Sequence, residues 1–178
     1  RLHELEYALN QSECSFLIAA DQFKSSNYTE MLNKLVPELK TSVPCQLITP
    51  ALPHMKGLIT LSDTPAPGML SWQQLQDKAN QVDDAALQQR QSGLQFDDPI
   101  NIQYTRGTTG FPKGATLSHH NILNNGFFVT ESQRFTDKDR MVIPVPLYHC
   151  FGMVMGNLGC VSHGATMIYP SDAFEPES

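Results

Sequence analysis

Apolar positions in "HELEYALNQ" fall at helical spacing, with Leu5, Ala8 and Leu9 on one face, which predicts a short amphipathic helix. "CSFLIAA" follows as a continuous apolar run of strand length ending at Asp21, the pattern of a strand buried on both faces. Asn27 then stands three residues before Glu30, ahead of Met31, Leu32, Leu35 and Val36, which predicts a capped helix interrupted near Pro37. "CQLIT" reads as a second short buried strand, so a right-handed parallel strand–helix–strand crossover is expected.

Residues 50–70 break the periodicity with a proline-rich irregular excursion around a strand-like "LITL". "SWQQLQDKA" restarts it, with Ser71 as cap and Gln74 as its box partner. "DDAALQQRQ" carries only a thin apolar stripe and predicts an exposed helix. "PINIQYT" predicts a strand, and Ser118 caps a helix bearing Ile122, Leu123, Gly126, Phe127 and Val129. "MVIPVP" reads as a buried strand, "HCFGMVMGNLGCVSHG" as a Gly- and Met-rich helix, and "ATMIYP" as a final strand. Strands alternating with helices predict an α/β fold with a mainly parallel sheet and flanking helices.

Composition narrows the picture. The chain has 178 residues and a formal net charge of −6, which excludes a broad nucleic-acid or anionic-membrane surface but leaves room for a local cationic pocket. No apolar stretch reaches the ~18 residues that a membrane span needs. The four cysteines form no C-x-x-C pair and have mostly apolar flanks, so reduced, buried thiols in an intracellular protein are expected. The chain opens without Met, already inside an amphipathic pattern, and stops after "FEPES", so a piece of a longer protein is expected.

The chemistry concentrates in "YTRGTTGFPKGATLS", which holds three glycines, four threonines and two cations without an acidic group. A loop leaving a strand can aim several backbone N–H groups at one point if its residues tolerate unusual dihedral angles, a tolerance that Gly107, Gly110 and Gly114 supply. Such a concavity binds anions. Thr105, Thr108 and Thr109 add hydroxyl donors, Lys113 adds a point charge, and Pro112 stiffens the exit. Together they predict a phosphate cradle for a nucleotide. A plain Gly-rich turn with surface threonines is the structural alternative. The P-loop pattern places Lys after its second Gly and Ser or Thr after that Lys, whereas here Lys113 precedes Gly114 and Ala115 follows. A zinc site built on His149, Cys150, Cys160 and His163 fails on length: a helix rising ~1.5 Å per residue puts the two histidines about 21 Å apart. No metal ligand set is expected.

"YTRGTTGFPKGATLSHHN" resembles the signature loop of the adenylate-forming superfamily, matching at Tyr104, Thr105, Gly107, Thr108, Thr109, Gly110, Pro112, Lys113, Gly114, Ser118, His119 and Asn121. "VPLYHCFG" resembles the family's second motif through Pro146, Leu147, Tyr148, His149 and Gly152. The resemblance covers essentially the whole chain and points to medium-chain-type fatty-acid–CoA ligases. It implies a partial N-terminal domain, with a βαβ region and irregular excursion over 1–98, the phosphate loop and acyl-site region over 99–178, and no C-terminal lid domain.

The resemblance further implies that a carboxylate is joined to AMP with release of pyrophosphate and then passed to coenzyme A, with ATP and Mg2+ as cofactors. Residues Thr105, Arg106, Gly107, Thr108, Thr109, Gly110, Phe111, Pro112 and Lys113 would hold ATP phosphates. Lys113, Thr108 and His149 would serve catalysis, and Tyr148, His149 and Gly152 would meet the acyl substrate, with the Met-rich helix lining or backing its pocket. His119 is expected to be structural and His120 exposed. The family's later motifs, which supply a magnesium-binding Glu, a ribose-binding Asp and a C-terminal lysine, do not occur in this sequence. A fragment inactive alone is therefore expected. The alternatives are a non-catalytic nucleotide-binding module and an adenylation domain for aryl or amino acids. A medium-chain fatty acid is the favoured substrate, the cytoplasm the expected compartment with the mitochondrial matrix as alternative, and homo-oligomers through open sheet edges the expected association. Arg106 departs from the family's usual Ser, which suggests a second cation or a crowded cradle, with a solvent-facing side chain favoured.

Overall fold

The structure, a computed structural model, describes residues 2–105 and 112–171. The chain divides into two compact units, Arg1–Ser92 and Gly93–Ser178.

In the first unit, α1 (Leu2–Gln11) is followed by β1 (Phe16–Ala19), the small hairpin of β2 (Gln22–Phe23) and β3 (Ser26–Asn27), and α2 (Tyr28–Leu35). The expected cap is present: Glu30 N–H donates to Asn27 Oδ1 at 2.8 Å. Lys34 closes a 2.6 Å ion pair with Glu30 one turn on. Its hydrogen bond and charge hold the Glu30 carboxyl below the usual range. Pro37 cannot continue an α-helical ladder, and a 3-10 turn (Pro37–Thr41) takes over. β4 (Gly57–Thr60), β5 (Met69–Ser71), α3 (Trp72–Ala79) and α4 (Asp84–Ser92) complete the unit.

β1, β4 and β5 form a parallel sheet in that order. β4 is central and buried along its whole length. The crossover therefore exists, but its second strand is "GLIT", not "CQLIT". The physical reason lies at Cys45, whose φ of 65° is left-handed and incompatible with extended backbone. Gln46 N–H accordingly closes a turn on Val43 O, and Ile48 is left 87% exposed. The strand-like "LITL" within the proline-rich excursion is thus the middle of the sheet. β1 departs from expectation too: as an edge strand it leaves Phe16 and Ile18 half exposed instead of burying both faces.

The core of this unit gathers Leu9 of α1, Leu32 and Leu35 of α2, Val36, Leu39, Leu52, Met55, Leu58 of β4 and Met69 of β5. Asp21, just after β1, accepts hydrogen bonds from the hydroxyls of Thr60 and Thr29, tying β4 to the start of α2. Ser71 caps α3 with the full box: Gln74 N–H donates to its hydroxyl and the Gln74 amide oxygen accepts from Ser71 N–H. α4 is exposed throughout, as its thin stripe predicts.

In the second unit, β6 (Pro99–Thr105) and β7 (Lys113–Ser118) pair antiparallel, and α5 (His119–Ser132) follows. β8 (Arg140–Val142) pairs parallel with β9 (Thr166–Ile168). Between them runs a π-helical segment (Phe151–Leu158) continuing into α6 (Gly159–His163). The run "MVIPVP" is a strand only to Val142, which is exposed, and only Ile143 is buried. The fold is α/β, and among the described residues two sheets pair parallel and two antiparallel.

Cys160 is buried, and that burial pushes its thiol pKa up. The other three cysteines are free but only partly buried, contrary to the expectation of uniformly buried thiols.

Candidate functional site

The β6–β7 hairpin is antiparallel and exposed over most of its length. Thr105 pairs with Lys113 at the end where the connecting segment joins the two strands, and the Thr105 hydroxyl donates to Lys113 O at 3.4 Å. Both side chains are exposed. The predicted site residues Arg106, Gly107, Thr108, Thr109, Gly110 and Phe111 lie outside the described residues. Their segment leaves β6 at Thr105 and re-enters β7 at Lys113, so its two ends are anchored on neighbouring strands.

Gly114 serves another purpose than the dihedral freedom expected of it. A Cβ there would sit 2.9 Å from Ile102 Cγ2 and 3.4 Å from the Tyr104 ring, so glycine lets the facing strand's side chains cross over β7. Pro112, at the exit, is partly buried.

β7 ends at Ser118, and the Ser-x-x-Asn element there is a helix cap. Asn121 N–H donates to Ser118 Oγ at 3.2 Å, and Asn121 Oδ1 accepts from Ser118 N–H at 3.0 Å. His119 is partly buried beside this cap. His120 is exposed, with its ring 5.5 Å from that of Phe96.

The second group of candidates sits on the turn after β8. His149 N–H donates to Pro146 O at 3.2 Å, and Met153 N–H donates to His149 O at 3.0 Å, which seats the turn on the π segment. The first N–H of that segment, on Phe151, donates to His149 Nδ1 at 3.1 Å. Tyr148 is 84% exposed and His149 is exposed as well, whereas Gly152 is buried against the Pro146 carbonyl. Met155, Phe151 and Val129 line an apolar cavity of about 270 Å3 together with Met141, Ile143 and Pro144. Met155 of the Met-rich segment is thus on a cavity wall.

α5 connects the two groups: β7 feeds its N-terminus, and the π segment packs on its later turns. The approach is close because Gly126 of α5 and Gly159 of α6 lie at the contact, while Gly156 lets the π segment approach Ile143. A Cβ on Gly126 would sit 2.8 Å from Val154 O, one on Gly156 3.0 Å from Ile143 Cδ1, and one on Gly159 2.4 Å from Thr130 Cγ2.

A polar hub that the sequence did not reveal locks this packing. Thr130 is fully buried, donates to Gly126 O at 2.9 Å, and lies 3.0 Å from His163 Nδ1. His163 Nε2 reaches Glu131 at 3.0 Å, and the Phe127 ring stacks on the imidazole. The adjacent Thr130-Glu131 pair, one turn past Gly126 and Phe127, was the available signal, but it needs the partner His163 from 32 or more residues on. Among the described residues, no three His, Cys, Asp or Glu side chains come together as a metal-ligating set.

The family model for AMP-binding enzymes matches residues 1–178. The chain belongs to the AMP-binding enzyme family. It is 45% identical over 174 residues to YngI of Bacillus subtilis (strain 168), which carries the name acyl-CoA synthetase, covering 98% of this chain and 32% of that protein. It is 40% identical over 177 residues to the mitochondrial medium-chain acyl-CoA ligase ACSF2 of Danio rerio, covering 98% of this chain and 29% of the relative. The chain thus spans about a third of the length of these relatives.

Among solved structures, ATP-bound MatB of Rhodopseudomonas palustris superposes with a TM-score of 0.65 at 24% identity, over 99% of this chain and 29% of that one. The anthranilate CoA ligase AuaEII in complex with anthranoyl-AMP gives a TM-score of 0.69 at 18% identity, over 96% of this chain and 29% of that one. These likenesses establish the fold: the chain superposes on part of each of these longer chains.

Proposed function

We propose that this chain is the phosphate-loop and acyl-site part of an ATP-dependent fatty-acid–CoA ligase, which joins a carboxylate to AMP, releases pyrophosphate and transfers the acyl group to coenzyme A. The observation that carries this reading is the pairing of Thr105 with Lys113, which fixes both ends of the Gly/Thr segment on one hairpin. The relatives named acyl-CoA synthetase and medium-chain acyl-CoA ligase support the reaction class and a medium-chain fatty acid as substrate.

A carboxylate attacking an anionic α-phosphate must overcome charge repulsion, so cations and hydrogen-bond donors around the phosphates carry much of the catalysis. In this reading Lys113 supplies a positive charge, the Thr105, Thr108 and Thr109 hydroxyls with the Gly107 and Gly110 backbone supply donors, and Arg106, Phe111 and Pro112 complete the loop around ATP. Tyr148 and His149 meet the acyl carboxylate, and Gly152 backs them. The described residues offer no ligand set for Mg2+. The ion, which would neutralise phosphate charge in the reaction, is assigned to other residues of the parent, and coenzyme A likewise.

ATP–pyrophosphate exchange tests the proposal. The full-length parent is expected to show exchange that depends on added medium-chain fatty acid, and this 178-residue chain alone to show none. Exchange by the parent that responds to aryl or amino acids but not to fatty acids overturns the substrate assignment, and its complete absence overturns the ligase reading. The compartment we favour is the cytoplasm, with the mitochondrial matrix as the alternative that the name of ACSF2 supports. Fractionation of cells making the tagged parent separates the two.

A further inference from the structure

The helix that runs from Phe151 to His163 is held differently at its two ends. Its first eight residues are the π segment and its last five are α6. Where α6 begins, the helix rests on α5 almost backbone to backbone. A Cβ on Gly159 would meet Thr130 Cγ2 at 2.4 Å, Thr130 Oγ1 at 3.3 Å and Gly126 O at 3.4 Å. The Thr130 methyl seated on Gly159 fixes the height at which the two helices meet. Glycine brings no side chain that interdigitates with a neighbour, so this contact is a pivot and not a clamp.

His163, one turn further on, supplies what the pivot lacks. Its ring meets three residues of α5. Phe127 stacks on it with ring centroids 5.0 Å apart. Thr130 Oγ1 lies 3.0 Å from Nδ1. Nε2 lies 3.0 Å from Glu131 Oε2, and a carboxylate only accepts, so Nε2 carries a proton and donates it. On its own helix, Ser162 Oγ and Gly159 O lie 3.0 and 3.2 Å from Nδ1. The imidazole is only 8% exposed. Stacking on one side and polar contacts at both nitrogens stop α6 from turning against α5.

The far end of the same helix has room to move. Phe151 and Met155 border the apolar cavity of about 270 Å3, so that flank faces empty space and not packed side chains. This end also carries the turn of Tyr148 and His149, joined to it by the bond from Met153 N–H to His149 O. At a rise of ~1.5 Å per residue, the eight-residue π segment places Phe151 at most about 12 Å from Gly159. A tilt of about 5° on the Gly159 contact then moves Phe151 by about 1 Å, a misplacement that costs on the order of 10²-fold in rate when it reaches a reacting site.

We propose that His163 is a positioning residue: by latching α6 to Phe127, Thr130 and Glu131 of α5, it stops the Phe151–His163 helix from pivoting on Gly159 and so holds the Tyr148–His149 turn in place. The latch itself stands on geometry. Its consequence for catalysis rests on the ligase reading.

Two experiments separate the latch from that reading. His163→Phe keeps an aromatic ring over Phe127 and loses both polar contacts. In the 178-residue chain this variant is expected to exchange its Phe151 and Met153 amides about 10-fold faster or more, while the amides of α5 change by much less. Exchange that quickens evenly over α5, α6 and the π segment, the mark of a simple loss of stability, overturns the latch. Unchanged exchange at Phe151 and Met153 overturns it too.

In the full-length parent, His163→Phe is expected to lower kcat for pyrophosphate exchange by about 10-fold or more. The KM for ATP should stay unchanged, because β7 and the start of α5 do not ride on the pivoting helix. His163→Gln, whose amide N–H replaces Nε2–H toward Glu131, should recover most of the kcat. An unchanged kcat in His163→Phe overturns the positioning role, and so does a KM for ATP that rises as kcat falls. If His163→Phe fails to fold, Glu131→Ala removes the Nε2 partner at an exposed position and replaces it in both measurements. An unmodified parent with no exchange under any condition sinks the ligase reading, and amide exchange in the chain then decides the latch by itself.

Discussion

Replacing Gly159 by Ala would ordinarily stabilise a helix by about 1 kcal/mol, because Gly is the poorer helix former. The structure predicts the opposite here. The added Cβ would lie 2.4 Å from Thr130 Cγ2, where carbon atoms normally rest ~3.5–4.0 Å apart. Thr130 cannot swing away without surrendering its hydroxyl bond to Gly126 O and its contact with His163. Overpacking of this kind costs ~1–3 kcal/mol, and a clash against a buried β-branched side chain belongs at the upper end. After the propensity gain, a net loss of ~1–2 kcal/mol is expected.

Thr130→Ser deletes the clashing methyl and keeps the hydroxyl. Alone it should cost ~1 kcal/mol for one buried methyl. Combined with Gly159→Ala it should recover most of the loss, giving a favourable coupling of ~1–2 kcal/mol between neighbouring sites. The lone tryptophan, Trp72, lies in the other unit, so its fluorescence does not report on this contact. Hydrogen exchange of the α5 amides, with circular dichroism in urea as a second probe, is the suitable assay. A Gly159→Ala chain as stable as its parent refutes the reasoning, and so does a double variant whose losses simply add.

Four further outcomes are expected. Gly68→Ala should destabilise the first unit severely, because φ there is +77° and a Cβ would meet Leu39 O at 2.0 Å; retained thermal stability contradicts it. Ser118→Ala should cost ~1 kcal/mol through loss of the α5 cap, seen as faster exchange in the first turn of α5, and unchanged exchange rates there refute it. Under native conditions a thiol reagent should modify Cys14, Cys45 and Cys150 well before Cys160, whose thiol is buried and held protonated by its raised pKa, and equal rates argue against this. In the full-length parent Lys113→Met should raise the KM for ATP, and Arg106→Ser reads out whether the unusual arginine helps or crowds the loop: an unchanged KM means that it is tolerated and does nothing for ATP.

Local signals were strong wherever one segment satisfies its own backbone. The caps at Asn27, Ser71 and Ser118 need only a polar side chain and an N–H three residues away, so a few letters suffice to place them. Membership of the AMP-binding enzyme family was equally legible, because the resemblance rests on two short contiguous motifs.

Pairing and register were another matter. "CQLIT" and "GLIT" are indistinguishable as apolar runs, and the choice of β4 fell to a left-handed residue at Cys45 and to the partners β1 and β5 offered it. β1 reads as doubly buried from its own residues, yet burial depends on what lies beyond the edge of the sheet. Gly114, Gly152 and Gly159 look alike in sequence, and only the tertiary structure shows that each yields to a different neighbour: a facing strand's side chains, a carbonyl, and a threonine methyl. The sequence by itself thus determined the family and the capped helix starts, both local in origin. The tertiary structure decided which strands meet, which nitrogen of His149 accepts a backbone N–H and what His163 packs against, since each depends on contacts between residues distant along the chain or on a turn's backbone geometry.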